Sequence, residues 1–194
     1  MFHSLPGRSV GSAWVELGSG YGRDLRELRD RGYSVRGVDV SRVGIALARK
    51  EDLRVERAHA MHWLARRPAA SADVVFSNLF YNMEFSEEDH RRLFAAVERV
   101  LVPGGYHGYS TRSTLDPWYG KGVRVGPATY DLRPDGPVMH FFSRAYARRL
   151  RRGRFRRIRE WEGPEDQGRF PTRVLYVLER KPLRRERDDP DVTP

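Results

Sequence analysis

The sequence predicts an α/β fold: one domain with a mostly parallel seven-stranded sheet, helices on both faces and an antiparallel hairpin at one edge. Three observations carry this. Apolar runs of strand length alternate with amphipathic helical stretches from residue 13 to 111. The first run ends in a glycine-rich turn, "GSGYG", that opens directly into a helical pattern. The last two runs, 155–162 and 172–181, follow one another with no helix between them.

The first strand is "AWVEL" at 13–17, an apolar run stopped by glycines. "GRDLRELRDRGY" places Leu25 and Leu28 three apart among charges and stops at Gly32, which predicts a helix with a C-terminal glycine cap. "SVRGVDV" at 34–40 is the second strand, and "SRVGIALARKE" the second helix, with Ser41 as N-cap and Gly44 tolerated in its interior. A short strand near 53–58, a helical turn at 61–66 and the strand "DVVFSN" at 73–78 follow. "SEEDHRRLFAAVERVL" has a capping serine, acidic residues behind it and an apolar stripe, and "PGG" at 103–105 is expected to end it. The fifth strand is "YHGYST" at 106–111, followed by a loop-like stretch at 112–138 and the helix "SRAYARRLRRG". The hairpin strands close the domain, and "RRERDDPDVTP" at 184–194 is expected to be a flexible tail.

With 39% hydrophobic and 32% charged residues, the 194-residue chain has the balance of one soluble globular domain. No apolar run reaches the length of a membrane span, the N-terminus does not read as a secretory signal, and a cytoplasmic location is the default. Zero cysteines exclude disulfides, thiolate nucleophiles and cysteine metal sites, and His3, His59, His62, His90, His107 and His140 show no metal-ligand spacing. The net charge of +10 invites a nucleic-acid partner, but the arginines are spread over nearly every helix. The one dense patch, "RRLRRGRFRRIR" at 148–159, is expected to be a solvated face, so nucleic acid is an unlikely partner.

The glycine loop lacks the Lys-Ser/Thr of a phosphate-binding P-loop, and Arg23 stands where a dinucleotide fingerprint needs its third glycine. What remains is a turn that a ligand can approach closely, an acidic residue just ahead of it (Glu16) and a carboxylate at the end of the second strand (Asp39) placed to accept from a ribose diol.

Taken together, "VELGSGYG" at 15–22, "GVDVS" at 37–41, "ADVVFSNLFYNM" at 72–83 and "LVPGGYH" at 101–107 resemble four ordered motifs of the class I S-adenosylmethionine-dependent methyltransferases. Two further stretches, "STRSTLDPWYGKG" and "MHFFSRAYARRL", are similar to the tellurite-resistance-type branch, whose members act on small molecules. The resemblance implies the Rossmann-like fold of that family over residues 1–183 and S-adenosyl-L-methionine as cofactor. By resemblance, Gly18 and Gly20 pass under the methionine portion, Glu16 helps hold its amino group, Asp39 takes the ribose hydroxyls, and Ser19, Tyr21, Asp24 and Val40 also bind the cofactor. His59, Ala60 and Met61 fall at the adenine, with His59 where the family has an acidic residue, and Asn78 closes the cofactor site.

Methyl transfer asks the protein to align an acceptor, exclude water and remove a proton where there is one. Tyr81 and His140 are candidate proton acceptors, and Tyr81, Asn82, Arg112, Trp118, Tyr119, Lys121 and His140 candidate acceptor-site residues, with the cations suited to an anionic or polar acceptor. Only about a dozen residues precede the first strand, which implies a shortened N-terminal cap. The insertion at 111–139, or a second subunit in a homodimer, is therefore expected to cover the pocket. The alternatives are an RNA methyltransferase that uses the basic patch and a non-catalytic cofactor-binding subunit.

Overall fold

A computed structural model describes residues 12–166 and 171–183. The expected N-terminal cap before residue 12 and the tail at 184–194 lie outside the described residues. The order of elements is β1 (Ala13–Leu17), α1 (Arg23–Asp30), β2 (Ser34–Asp39), α2 (Arg42–Lys50), β3 (Val55–Arg57), α3 (Ala60–Ala65), β4 (Ala72–Asn78), α4 (Glu87–Val100) and β5 (Leu101–Arg112). There follow β6 (Val123–Gly126), β7 (Thr129–Asp131), β8 (Val138–His140), α5 (Arg144–Arg151), β9 (Arg156–Asp166) and β10 (Pro171–Arg180).

Seven strands form the main sheet in the order β3-β2-β1-β4-β5-β10-β9. β1 to β5 are parallel, and β10 runs antiparallel between β5 and β9. The predicted parallel sheet with an antiparallel edge hairpin is thus the observed one. Strand order reverses between β1 and β4, so the crevice of this sheet opens at their carboxyl ends. No helix among the described residues is long and apolar enough to cross a membrane.

The helix ends follow local chemistry. α1 stops in a Schellman arrangement, with Gly32 at φ 83° and the Tyr33 amide donating back to the Leu28 carbonyl at 3.0 Å. Ser86 and Asp89 close a reciprocal capping box at the head of α4, and Ser41 and Ser143 cap α2 and α5 in the same sense. Apolar stripes on α3, α4 and α5 bury against one face of the sheet around Val75, Tyr109 and Val177. On the other face α1 packs on Trp14, Val74 and Phe76, and α2 packs beside it through Ile45 and Ala48.

Three details differ from the sequence reading. The stretch 112–138 is not simply a loop: it carries β6 and β7, which with β8 make a separate antiparallel sheet, and Tyr119, Tyr130 and Phe141 pack edge to face against one another. "PGG" does not end α4, which stops at Val100 and runs straight into β5. The β4–β5 register jumps from Ala72↔Leu101 to Val74↔Tyr106, so the proline and glycines form an irregularity inside the strand, where Pro103 has no amide to give to a ladder. Lastly, α3 begins one residue earlier, at Ala60.

The α4–α5 side of the core contains sealed polar groups. Glu179 accepts from Nδ1 of His107 at 2.8 Å, which leaves Nε2 to accept the Tyr81 hydroxyl at 3.0 Å. Arg151 donates to Glu160 at 2.6 Å, with their side chains only 8% and 4% exposed. A buried pair contributes little over an apolar pair of the same shape, but one partner left alone is costly. Glu160→Gln is therefore expected to lower stability by about 3–5 kcal/mol in denaturant unfolding, and Arg151→Met with Glu160→Leu to recover most of it.

Candidate functional site

The glycine turn sits at the crevice and is held there by its neighbours. The Gly18 amide donates to the Val38 carbonyl at 2.8 Å, which ties the loop to the end of β2. Asp39 finishes the attachment: one carboxylate oxygen accepts from the Gly20 amide and the other from the Ser41 amide, both at 2.7 Å. A single side chain thus clasps the loop to the first turn of α2.

That clasp requires close approach. A Cβ on Gly44 would stand 2.9 Å from the carbonyl carbon of Gly20, so a residue that costs α2 helix propensity is what lets the helix lie against the loop. Gly18 has φ 72°, and a Cβ there would come within 2.7 Å of the Phe80 ring. Gly37 on β2 makes similar room for the Ser19 side chain.

Glu16 lies behind the loop, 3% exposed, with Oε2 buried and unpartnered among the described residues. Burial, reinforced by Asp24 and opposed by Arg23, pushes its carboxyl well above the usual range. Asp24 begins α1 and accepts from Nδ2 of Asn78 at 3.0 Å, and the Asn78 amide oxygen accepts in turn from the Ser110 hydroxyl. These bonds fix the Asn78 amide and connect the ends of β4 and β5 to the loop.

Glu16, Gly18, Ser19, Gly20, Asp24, Asp39 and Asn78 are therefore brought together. Tyr21 and Val40 are exposed at the rim, at 55% and 59%. His59, Ala60 and Met61 stand at the β3–α3 junction, whose Ala58 amide donates to the Asp39 carbonyl at 3.0 Å; His59 is exposed and Ala60 buried.

Beside the loop, between α1 and the face formed by β4, β5 and β10, is a cavity of about 210 Å³. Its walls include Asp24, Asn78, Ser110, Glu165 and Tyr176. The register makes Asn78, Ser110 and Tyr176 a row across three adjacent strands. Glu165 and Tyr176 were not among the sequence candidates. The signal was the strand alternation that puts Trp161 and Glu165 on one face, but it becomes usable only with the hairpin register known.

Several sequence candidates lie elsewhere. Tyr81 is fully buried and His140 is 2% exposed, both on the α4–α5 side, and neither lines the cavity. Burial lowers the His140 pKa to about 3 and that of its neighbour His90 to about 4, so both rings are neutral. Asn82 is buried and its carbonyl accepts from the His140 amide at 3.0 Å. Arg112 is 8% exposed, with Nε 3.3 Å from Asp116. Trp118, Tyr119 and Lys121 follow on the segment leading to β6 and do not line the cavity.

Comparison with known proteins bears on the fold that carries this site. Residues 15–105 match the family described as a methyltransferase domain. An S-adenosylmethionine-dependent methyltransferase from Methanosarcina mazei is similar in fold, with a TM-score of 0.79 and 19% identity over 91% of this chain and 95% of that one. A Mesorhizobium loti S-adenosylmethionine-dependent methyltransferase gives 0.68 and 25%, over 88% and 91%. The 1,6-didemethyltoxoflavin-N1-methyltransferase of Burkholderia thailandensis, solved with 1,6-didemethyltoxoflavin and S-adenosylhomocysteine, gives 0.67 and 17%, over 88% and 71%. No curated protein matches the sequence.

The contact at Gly44 yields a test. Alanine there would favour α2 by about 1 kcal/mol on propensity alone, yet its Cβ displaces the loop at Gly20. Gly44→Ala is expected to weaken S-adenosylhomocysteine binding by roughly tenfold or more in calorimetry while the melting temperature of the ligand-free protein changes little.

Proposed function

We propose that this chain is an S-adenosylmethionine-dependent methyltransferase whose acceptor is a small molecule bound in the cavity between α1 and the β4–β5–β10 face. The observation that carries the reading is the position of that cavity: it shares Asp24 and Asn78 with the loop site, and its volume of about 210 Å³ suits a compact acceptor. The resemblance of 110–122 and 139–150 to the tellurite-resistance-type branch supports it, as does the small-molecule substrate of the Burkholderia neighbour. The reading as an RNA methyltransferase draws no support from the arginine patch. Arg149 pairs with Glu87, Arg151 with Glu160, and Arg159 lies over the Trp161 ring at 4.8 Å.

The residues present fit the cofactor. Glu16 has a buried unpartnered oxygen where an ammonium would satisfy it, and each Asp39 oxygen, already bonded once, keeps a lone pair for a ribose hydroxyl. When bound, S-adenosylmethionine supplies an activated methyl group on a sulfonium. In this reading Glu16 holds the α-ammonium, Asp39 the ribose diol, Tyr21 and Val40 the rim, and His59 to Met61 the adenine edge. Asn78, oriented by Ser110 and Asp24, fixes the boundary between cofactor and acceptor. Tyr81 and His140 act as positioning residues: the Tyr81 carbonyl bonds His90 on α4, and the His140 amide on β8 donates to the Asn82 carbonyl, which holds the turn after β4.

Two measurements test this. Asp39→Ala removes the ribose contact and the clasp, and is expected to cost on the order of 2–4 kcal/mol of S-adenosylmethionine affinity in calorimetry; unchanged affinity would defeat the assignment. Glu16→Gln tests the buried carboxyl. Because its folded pKa is raised, the folded protein keeps a proton that the unfolded chain has released, so this group's contribution to stability falls as pH rises from about 4.5 through the folded pKa. Glu16→Gln should therefore melt higher than wild type at pH 8, less so at pH 5, and bind S-adenosylhomocysteine at least about tenfold more weakly.

A further inference from the structure

The cavity's charges run opposite to those of the chain. In a protein of net charge +10, the wall carries three carboxylates, Asp24, Glu27 and Glu165, against one guanidinium, Arg31. Arg31 is already committed to Glu27 at 2.8 Å. Arg23 pairs with Asp24 at 2.8 Å, but its side chain is half exposed and not part of the wall. Arg112, buried beside Asp116, is a cation whose charge also acts on Glu165, but it is not part of the wall. Among the described residues no spare positive charge is left on the wall to receive an anion.

One buried acceptor atom points the same way independently of the count. Oε2 of Glu165 is sealed from solvent with no partner among the described residues, and Glu165 itself lines the cavity. A buried carboxylate oxygen without a donor is costly, and a ligand N–H removes that cost. The wall also offers aromatic surface: Tyr33 and Tyr176 line it, and Trp161 stacks on Tyr176 at 4.9 Å and 9°. Aromatic faces attract cations as well as flat apolar groups.

We propose that this cavity selects its acceptor by positive charge: a protonated amine, or another organic cation, attached to a flat apolar group. The inference rests on the reading of the chain as a small-molecule methyltransferase and adds the chemical class of the molecule. Glu165 receives the cationic end, Asp24 sets the field at the loop side, and Tyr176 with Leu28 contacts the apolar part. Tyr176 stays a neutral phenol throughout, because burial and the adjacent Glu165 carboxylate push its ionisation up.

Three probes of one shape decide it: 2-phenylethylamine, 2-phenylethanol and 3-phenylpropanoate, titrated calorimetrically into the full chain with and without S-adenosylhomocysteine. The amine is expected to bind at least about tenfold tighter than the alcohol, the carboxylate not to bind, and the amine's advantage to shrink as salt is raised. Glu165→Gln should remove most of that advantage and leave S-adenosylhomocysteine affinity within about threefold. A carboxylate that binds as well as the amine, no binding by any probe at millimolar concentration, or a Glu165→Gln protein that keeps the full amine preference would each overturn the proposal. Should Glu165→Gln fail to fold, the ranking and its salt dependence in the wild-type chain still decide. If S-adenosylhomocysteine did not bind wild type, the functional reading would fall, while the ranking on cofactor-free protein would still judge this inference.

Discussion

The two hydrogen bonds of the Asp39 carboxylate organise the cofactor end of this molecule. A glycine-rich turn has no side chains with which to define its own position, and the backbone entropy it would keep is what makes such turns mobile. By accepting from the Gly20 and Ser41 amides together, Asp39 trades that freedom for a fixed relation between the loop, the end of β2 and the first turn of α2. The rest of the local sequence serves that relation. Gly37 leaves room for Ser19, Gly44 leaves room for the Gly20 carbonyl, and Ser41 caps the helix whose amide Asp39 also holds. The loop then covers Glu16 and leaves its second oxygen without a partner.

The two faces of the sheet are used differently. On the α4–α5 side, large rings fill the space, and the polar groups among them are bonded chiefly to one another, as in the run Tyr81, His107, Glu179. Such a network fixes geometry and offers nothing to a ligand. On the α1 side the helix is short, with only Leu25 and Leu28 buried, and among the described residues a cavity lies beside it against β4, β5 and β10. Its polar row comes from residues at matching register positions on neighbouring strands.

How far the sequence could be read follows from which forces are local. The alternation of strands and helices, the serine caps and the glycine stop of α1 depend on residues within a turn of one another, and they were legible. The Gly loop with Glu16 and Asp39 was legible because a strand end brings these positions together at fixed spacing. β6 and β7 were not: strands of four and three residues among prolines and glycines give too short a period to see, and they are held by pairing with β8 and by the Tyr119, Tyr130 and Phe141 rings. Glu165 and Tyr176 were invisible as a site for a related reason. Their meeting with Ser110 and Asn78 depends on the pairing of β10 with β5, residues more than sixty positions apart. Tyr81 and His140 looked chemical because they flank the crevice in sequence, while their side chains turn into the core.

Glu16 shows why a site of this kind departs from what stability alone would choose. A glutamine or an apolar residue at the end of β1 would avoid the burial that raises the carboxyl, and the sheet around it would gain. Keeping an acid there makes sense only if a positively charged group arrives to meet it, in which case the unfavourable burial becomes favourable binding at the moment of complex formation. The same logic extends along the crevice to Glu165. Both carboxylates, like Glu179 on the opposite face, have an oxygen sealed from water and without a hydrogen bond among the described residues, and these two lie at the crevice. Arginines pair with Glu27, Glu51, Glu56, Glu87, Glu88, Glu160 and Glu162, yet none among the described residues forms an ion pair with these two acids. In so arginine-rich a fold, acids left unpaired at one crevice set the sign of the charge that the crevice is built to receive.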